Sequence, residues 1–426
     1  MTVSTNERPE FYPYLEATRG VAALMVALFH IGLTPYVDAM GHQQRLIARS
    51  GDFSLGDAIA RILGNGPGAV IFFFVLSGFV LTKVLKNGPS NAGQNSWQFL
   101  TGRIFRLYPA ILSTLTIFIA IFLLSGHSLT GADEFKPTSL LLNALLIRPT
   151  IDSVMWSLQL ELIAAPMLLL IYFAWQRFGA PAVLLPYALL LILSFTSVWN
   201  HLIGPPFSFG QMYAFVAGML AFLYGATIVQ KLKSPRLWLA VALLGFALTR
   251  PIIGWSSYWT IWLETIFGAT IVALLAFGPF PPSSASAFRA ARFLGKISFS
   301  FYLLSPIALL PQHHGISEYL TSPISAGAHP LLVCAGLFVC AVALTALLAW
   351  LQFNFIERPG IVFGRTISVG LSTPAAPIPT PPRAGLDNPH ESLVECRPVH
   401  SCHPSATLGT ENSRRMELLH FTAAPK

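Results

Sequence analysis

Arg19-Gly20-Val21-Ala22-Ala23-Leu24-Met25-Val26-Ala27-Leu28-Phe29-His30 is an apolar helix that opens on a cation and ends on an imidazole. At about 3.6 residues per turn, this interval is close to three whole turns. Arg19 and His30 therefore share a face, roughly 16 Å apart along the axis. Packing alone does not explain a cation at the membrane edge with a titratable ring below it.

Composition places this helix in a bilayer. The chain has 426 residues, 54% of them apolar and only 10% charged. Soluble domains average about 25% charged residues, so most of this chain cannot face water. The expected fold class is an all-α integral membrane protein. The net charge of +8 comes from short basic clusters between apolar spans, the pattern of topology determinants. No basic run with interleaved aromatics resembles a nucleic-acid surface. Polar residues run from Met1 to Arg19, so the first apolar stretch reads as a retained helix and not as a cleaved leader. Cys334 and Cys340 sit too far apart on one span to bridge, and Cys396 and Cys402 with their neighbouring histidines match no zinc-finger spacing. No metal is expected.

A spanning helix needs about 20 mainly apolar residues. Ten stretches qualify: Arg19–Val37, Pro67–Val84, Leu107–Ser125, Val154–Trp175, Ala182–Trp199, Phe209–Val229, Leu237–Arg250, Tyr258–Phe277, Ile297–Pro311 and Pro330–Phe353. Lysine and arginine concentrate in one alternate set of connections, such as Lys83, Lys86, Arg103, Arg106, Lys231, Lys233 and Arg236. The other set holds fewer, Arg250 among them, which predicts both termini in the cytoplasm. Residues 1–370 read as the membrane domain. Residues 371–426, with a proline-rich start, read as a disordered cytoplasmic tail. The outer loop Asp38–Gly66 is long enough to contribute a vestibule.

Ionisable groups within spans are functional candidates by default. His30 leads, although a lone histidine on an apolar face is commonly a neutral, hydrogen-bonded core residue. Helix geometry puts it near the midplane of the bilayer. Glu161, in Trp156-Ser157-Leu158-Gln159-Leu160-Glu161, is expected within about a turn of His30 in depth, where it would orient the imidazole as a base. The plain alternative is a structural bond between helices. Arg103 and Arg106 lie three apart on one face and, with Arg19, would form an anion site at the inner mouth, since arginine forks suit phosphates. The positive-inside rule explains each arginine singly; the cluster is more informative than its members. Ser77, beside Gly78, reads as a small residue at a helix contact and not as a nucleophile.

Taken together, these stretches resemble the integral-membrane acyltransferase 3 family of O-acyltransferases, which modify surface polysaccharides, lipopolysaccharide and Nod factors. Tyr14 through His30 resembles its first-helix signature and Phe72–Phe79 its second helix. Arg103-Ile104-Phe105-Arg106-Leu107-Tyr108-Pro109 is similar to its arginine-pair motif, and Trp156-Ser157-Leu158 with Glu161 to its Trp-Ser-Leu-x-x-Glu motif. Gly295–Leu303, including Tyr302, and Glu357-Arg358-Pro359 complete the likeness. Ser305-Pro306 stands where many members carry histidine.

The resemblance implies transfer of an acyl group, acetyl above all, from cytoplasmic acyl-CoA to a hydroxyl of a carbohydrate or lipid-linked glycan at the inner membrane. His30 and Glu161 would be catalytic. Arg19, Arg103 and Arg106 would hold the CoA phosphates, and Trp156, Ser157 and Tyr302 would support the site. No permanently bound cofactor is expected. Two other readings stay open: a ten-helix transporter with a His30–Glu161 proton relay, and an acyltransferase acting on a small metabolite.

Overall fold

The computed structural model describes residues 12–33, 62–128, 130–152, 154–196, 209–254, 257–281, 283–309 and 330–370. The tail expected from residue 371, with its cysteines and histidines, lies outside them, as does most of the Asp38–Gly66 loop.

The first helix, α1 (Pro13–Ala27), starts on a proline that fits the first helical position. It continues into a π-helical turn, Leu28–Leu33, which carries His30. Asn65 caps α2 (Gly66–Lys86), its side chain accepting from the Gly68 amide at 2.9 Å. Helix α3 (Ala92–Ser125) is 34 residues long, encloses Pro109 and stops at Gly126, whose φ of 71° suits a residue without Cβ. A short α4 (Pro137–Ala144) leads to α5 (Trp156–Phe178) and α6 (Pro181–Ser194). Then come α7 (Tyr213–Gln230), α8 (Pro235–Ile253), α9 (Tyr258–Phe277) and α10 (Ser286–Leu304). The last run is α11 (Pro330–Gln352), a π-helical turn over Phe353–Glu357, and α12 (Arg358–Gly370). There is no strand among the described residues.

Seven helical runs among the described residues are long and apolar enough to cross a membrane. These include α2, α3, α5, α8 and α9, together with Phe209–Gln230 and the Ala335–Ser368 run. The other three expected stretches contain α1, α6 and α10, which are helical but short or charged. The boundaries differ in a consistent way. Helices α1, α3 and α10 begin at Pro13, Ala92 and Ser286, well before the apolar stretches expected at Arg19, Leu107 and Ile297. Arginine, lysine and glutamine are good helix formers, so these helices extend past the end of their hydrophobic segments. Tyr258–Phe277 is reproduced residue for residue.

Helix α2 is the hub, packed against α1, α5, α7 and α9. Two crossings set the positions of the polar side chains. At Gly20 and Gly295, α1 and α10 touch backbone to backbone: a Cβ on Gly20 would fall into the Ala291 carbonyl, and one on Gly295 into that of Glu16. Gly78 and Gly218 do the same for α2 and α7, facing the carbonyls of Phe215 and Val75. In a bilayer, close approach of this kind replaces the missing hydrophobic drive with dispersion contacts.

Candidate active site

Five helices meet at one interior cleft. The Gly20 crossing puts Arg19 on α1 beside Ser298, Phe299 and Tyr302 of α10, and Ser77 of α2 faces Glu161 of α5. Arg103, Arg106 and Leu107 of α3 close the remaining side. The cleft offers about 90 Å³ of water-accessible space, enough for the tip of a substrate but not for a nucleotide.

Glu161 is held from two sides. Arg103 donates to its Oε1 in a charge-assisted bond, and the Ser77 hydroxyl donates to the same oxygen at 2.8 Å. Arg103 is 7% exposed and its Nε has no hydrogen-bond partner. Arg19 and Arg106 also line the cleft, and neither makes a hydrogen bond or ion pair among the described residues. Glu357, buried in the second π-helical turn and bonded by Ser300 at 2.7 Å, lies near enough to feel both charges. Three guanidinium groups thus face two carboxylates, and all three have donors to spare. Such a site suits an anionic group with bidentate oxygens.

Ser157 and Tyr302 also come together. Their hydroxyls lie 3.0 Å apart, and both reach the Val154 carbonyl, at 2.9 and 3.2 Å. Trp156 packs edge-on against Phe74, with ring centroids 6.0 Å apart. Both hydroxyls face the cleft one turn or so from Glu161. Ser305 closes α10, its hydroxyl donating to the Tyr302 carbonyl at 2.9 Å.

His30 is elsewhere. It is not among the residues lining the cleft, and its ring packs edge-on to Phe29 at 4.9 Å. Phe29 in turn presses on Gly66, the first residue of α2. Ser77 lies eleven residues further along α2, about 16 Å away along its axis. The expected pairing of Glu161 with His30 is therefore corrected: Glu161 belongs to the level of Arg19, not of His30. Two features of the chain account for the difference. Helix α1 starts at Pro13, so Arg19 is already nearly two turns inside it. Ile151, Val154 and Met155 are buried ahead of α5, so the chain is already inside the protein before Trp156. Arg103 and Arg106 lie within the long α3, ahead of its apolar stretch from Leu107.

A family model described as an acyltransferase domain, that of the acyltransferase 3 family, matches residues 12–350. The chain belongs to that family. Searches of curated proteins and of solved structures returned no match. Membership makes this a membrane acyltransferase, and the matched run takes in His30, every cleft arginine and Glu161. Both π-helical turns of this acyltransferase carry a candidate group, His30 in one and Glu357 in the other. Single π turns inside α-helices are frequent at functional sites.

The sequence reading missed three things. Ser77 is the second ligand of the Glu161 carboxylate, and nothing in its apolar surroundings signals that role. Glu357 was read only as part of a closing motif. Arg250, expected in an outer loop, is 4% exposed inside α8 and makes two bonds of 2.9 Å to Glu264 of α9. Asn65 completes that cluster, donating to Glu264 at 2.8 Å. A cation fourteen residues before an acid, with a helix break between them, was a usable signal for this pair.

Proposed function

We propose that this acyltransferase moves an acyl group, acetyl in the first instance, from cytoplasmic acyl-CoA to a hydroxyl of a carbohydrate or lipid-linked glycan at the inner membrane. The observation that carries the donor side is the cleft in which Arg19 and Arg106 stand without partners beside the Arg103–Glu161 pair. These guanidiniums hold an anionic part of the donor. The small cleft volume admits a phosphate group and leaves the adenosine head outside.

In this account His30 is the general base. The acceptor oxygen attacks the thioester carbonyl while its proton passes to the imidazole; the carbon–sulfur bond then breaks, and the leaving thiolate takes that proton back from the imidazolium, which restores the neutral base. General-base catalysis is worth about 10²–10⁴-fold, so positioning and oxyanion stabilisation supply the remainder. Glu161 acts through Arg103, fixing its fork, and not through His30. The donor's arm covers the interval of about 16 Å between Arg19 and His30 along α1. A His30–Glu161 proton relay, on which the transporter reading depended, has no direct contact in this arrangement.

The test is thiol release from acetyl-CoA by the purified full-length protein, with a panel of glycan and lipid-linked hydroxyl acceptors. Acceptor-dependent release is expected from the wild type, and loss of release from His30→Ala and His30→Gln at unchanged membrane insertion. Substantial turnover by both variants would remove His30 from the mechanism. Turnover only with small soluble hydroxyl compounds would favour a metabolite as acceptor.

A further inference from the structure

Away from the cleft, α6, α7 and α9 enclose a groove of about 520 Å³ whose lining is almost wholly apolar. Its floor is made of small residues at helical spacing: Ala217, Ala221 and Gly225 on α7, facing Ala269 and Ala273 on α9. Small residues in register usually let two helices close on each other. Here they do so at Gly225, where an added Cβ would stand 3.0 Å from the Ala273 methyl, and the groove runs over this α7–α9 seam beside α6. Helix α6 walls it at Leu184 and Tyr187 but has only 14 residues, about 21 Å, too short to cover a full span. From Ala217 to Leu232 the channel follows α7 for roughly 22 Å, more than the hydrocarbon depth of one leaflet, about 15 Å. In a bilayer, hydrocarbon lying in an apolar groove of that length makes dispersion contacts along its whole lining.

The end of the channel selects which hydrocarbon. Leu232 closes the lining and is flanked by exposed Lys231 and Lys233, with exposed Arg236 at the start of α8. None of the three makes a hydrogen bond or ion pair among the described residues. Arg177, at the end of α5 and also exposed, adds a fourth cation before α6. No aspartate or glutamate occurs anywhere between Glu161 and Glu264. The cations at this end therefore have no acid on α6, α7 or α8 to neutralise them. Tyr224, which also lines the channel, takes a 3.0 Å hydrogen bond from Trp175, an aromatic pair of the kind that sits at headgroup level.

We propose that this groove is a binding site for an anionic phospholipid, one acyl chain lying over the α7–α9 seam beside α6 and the phosphate held by Lys231, Lys233 and Arg236. A juxtamembrane Lys or Arg contributes about fivefold in affinity for anionic lipid. The site is separate from the arginine cleft and does not depend on the acyl-transfer reading.

The experiment uses the full-length protein in nanodiscs of phosphatidylcholine mixed with phosphatidylglycerol, followed by native mass spectrometry of the lipids retained. The wild type retains phosphatidylglycerol in preference to phosphatidylcholine. The triple variant Lys231→Gln, Lys233→Gln, Arg236→Gln loses that preference by roughly fivefold per charge but still carries a lipid. Ala273→Phe, which fills the channel, loses both lipids. Equal retention of the two lipids by the wild type, or an unchanged preference in the triple variant, overturns the proposal. A lipid-free dimer would overturn it in favour of a second copy of the chain. If Ala273→Phe does not fold, the charge variant decides alone.

Discussion

Glu161 is a half-buried acid and Asp152 a fully buried one, and their surroundings give them opposite behaviour. Glu161 has a cation on it, so removing the carboxylate strands a buried guanidinium. Breaking one partner of such a pair costs about 3–5 kcal/mol, and Glu161→Ala is expected to lose that much in denaturant titration in detergent. Glu161→Gln keeps an acceptor for Arg103 and Ser77 and loses less. Ser77→Ala removes one hydrogen bond and should cost about 1 kcal/mol. Equal losses in all three variants would contradict the geometry. Asp152 lies outside the spans, just before α5, and is fully buried. Its Oδ1 accepts from the Val154 amide at 3.2 Å, while Oδ2 has no partner. Burial pushes this carboxyl up to about 8 from its ordinary 3.8, so between those two values the folded protein holds a proton that the unfolded chain has released. Stability should therefore fall as pH rises through that window, by up to about 1.4 kcal/mol per pH unit. Asp152→Asn removes this slope; a thermal midpoint that depends on pH as in the wild type would refute it.

At the scale of elements, the site exists because two pairs of glycines let helices touch. Gly20 and Gly295, or Gly78 and Gly218, have backbone carbonyls where a Cβ would stand, so Gly20→Ala and Gly78→Ala must push helices apart. Each is expected to abolish folded, monodisperse protein or to disrupt the cleft, as size-exclusion profiles and melting in detergent would show. Gly102 on α3 has nothing within 4 Å, and Gly102→Ala should be neutral or stabilise by up to about 1 kcal/mol. If Gly20→Ala is as well tolerated as Gly102→Ala, the crossing does not govern the site. Much of this was legible beforehand. The apolar stretches marked the helices, and Arg19, Arg103 and Arg106 were expected together and do share one cleft. What was not legible was depth. Hydropathy marks where a span is greasy, not where its helix begins, and α1 and α3 begin at Pro13 and Ala92, more than a turn before their apolar stretches. Periodicity assumes uniform α geometry, so it also missed the π turn that carries His30.

For the whole molecule, the polar groups fall into separate places along the α2 axis. Near its start are Phe29, His30's neighbour, and the Asn65–Glu264–Arg250 cluster; near its middle is Ser77 with the arginine cleft. Under the proposed function, donor charge would be held at one level and proton transfer performed at another, with the donor's arm between them. The two tasks should then separate in variants: arginine changes weaken donor binding, and His30 changes leave it intact. The most direct measurement is the affinity of the purified protein for acetyl-CoA, by equilibrium titration, for wild type, Arg19→Gln, Arg106→Gln and His30→Gln. The account predicts binding weakened about tenfold or more by each arginine change, given that a hydrogen bond to a charged group is worth about 1.5–3 kcal/mol, and left unchanged by His30→Gln. Wild-type affinity in both arginine variants would contradict it.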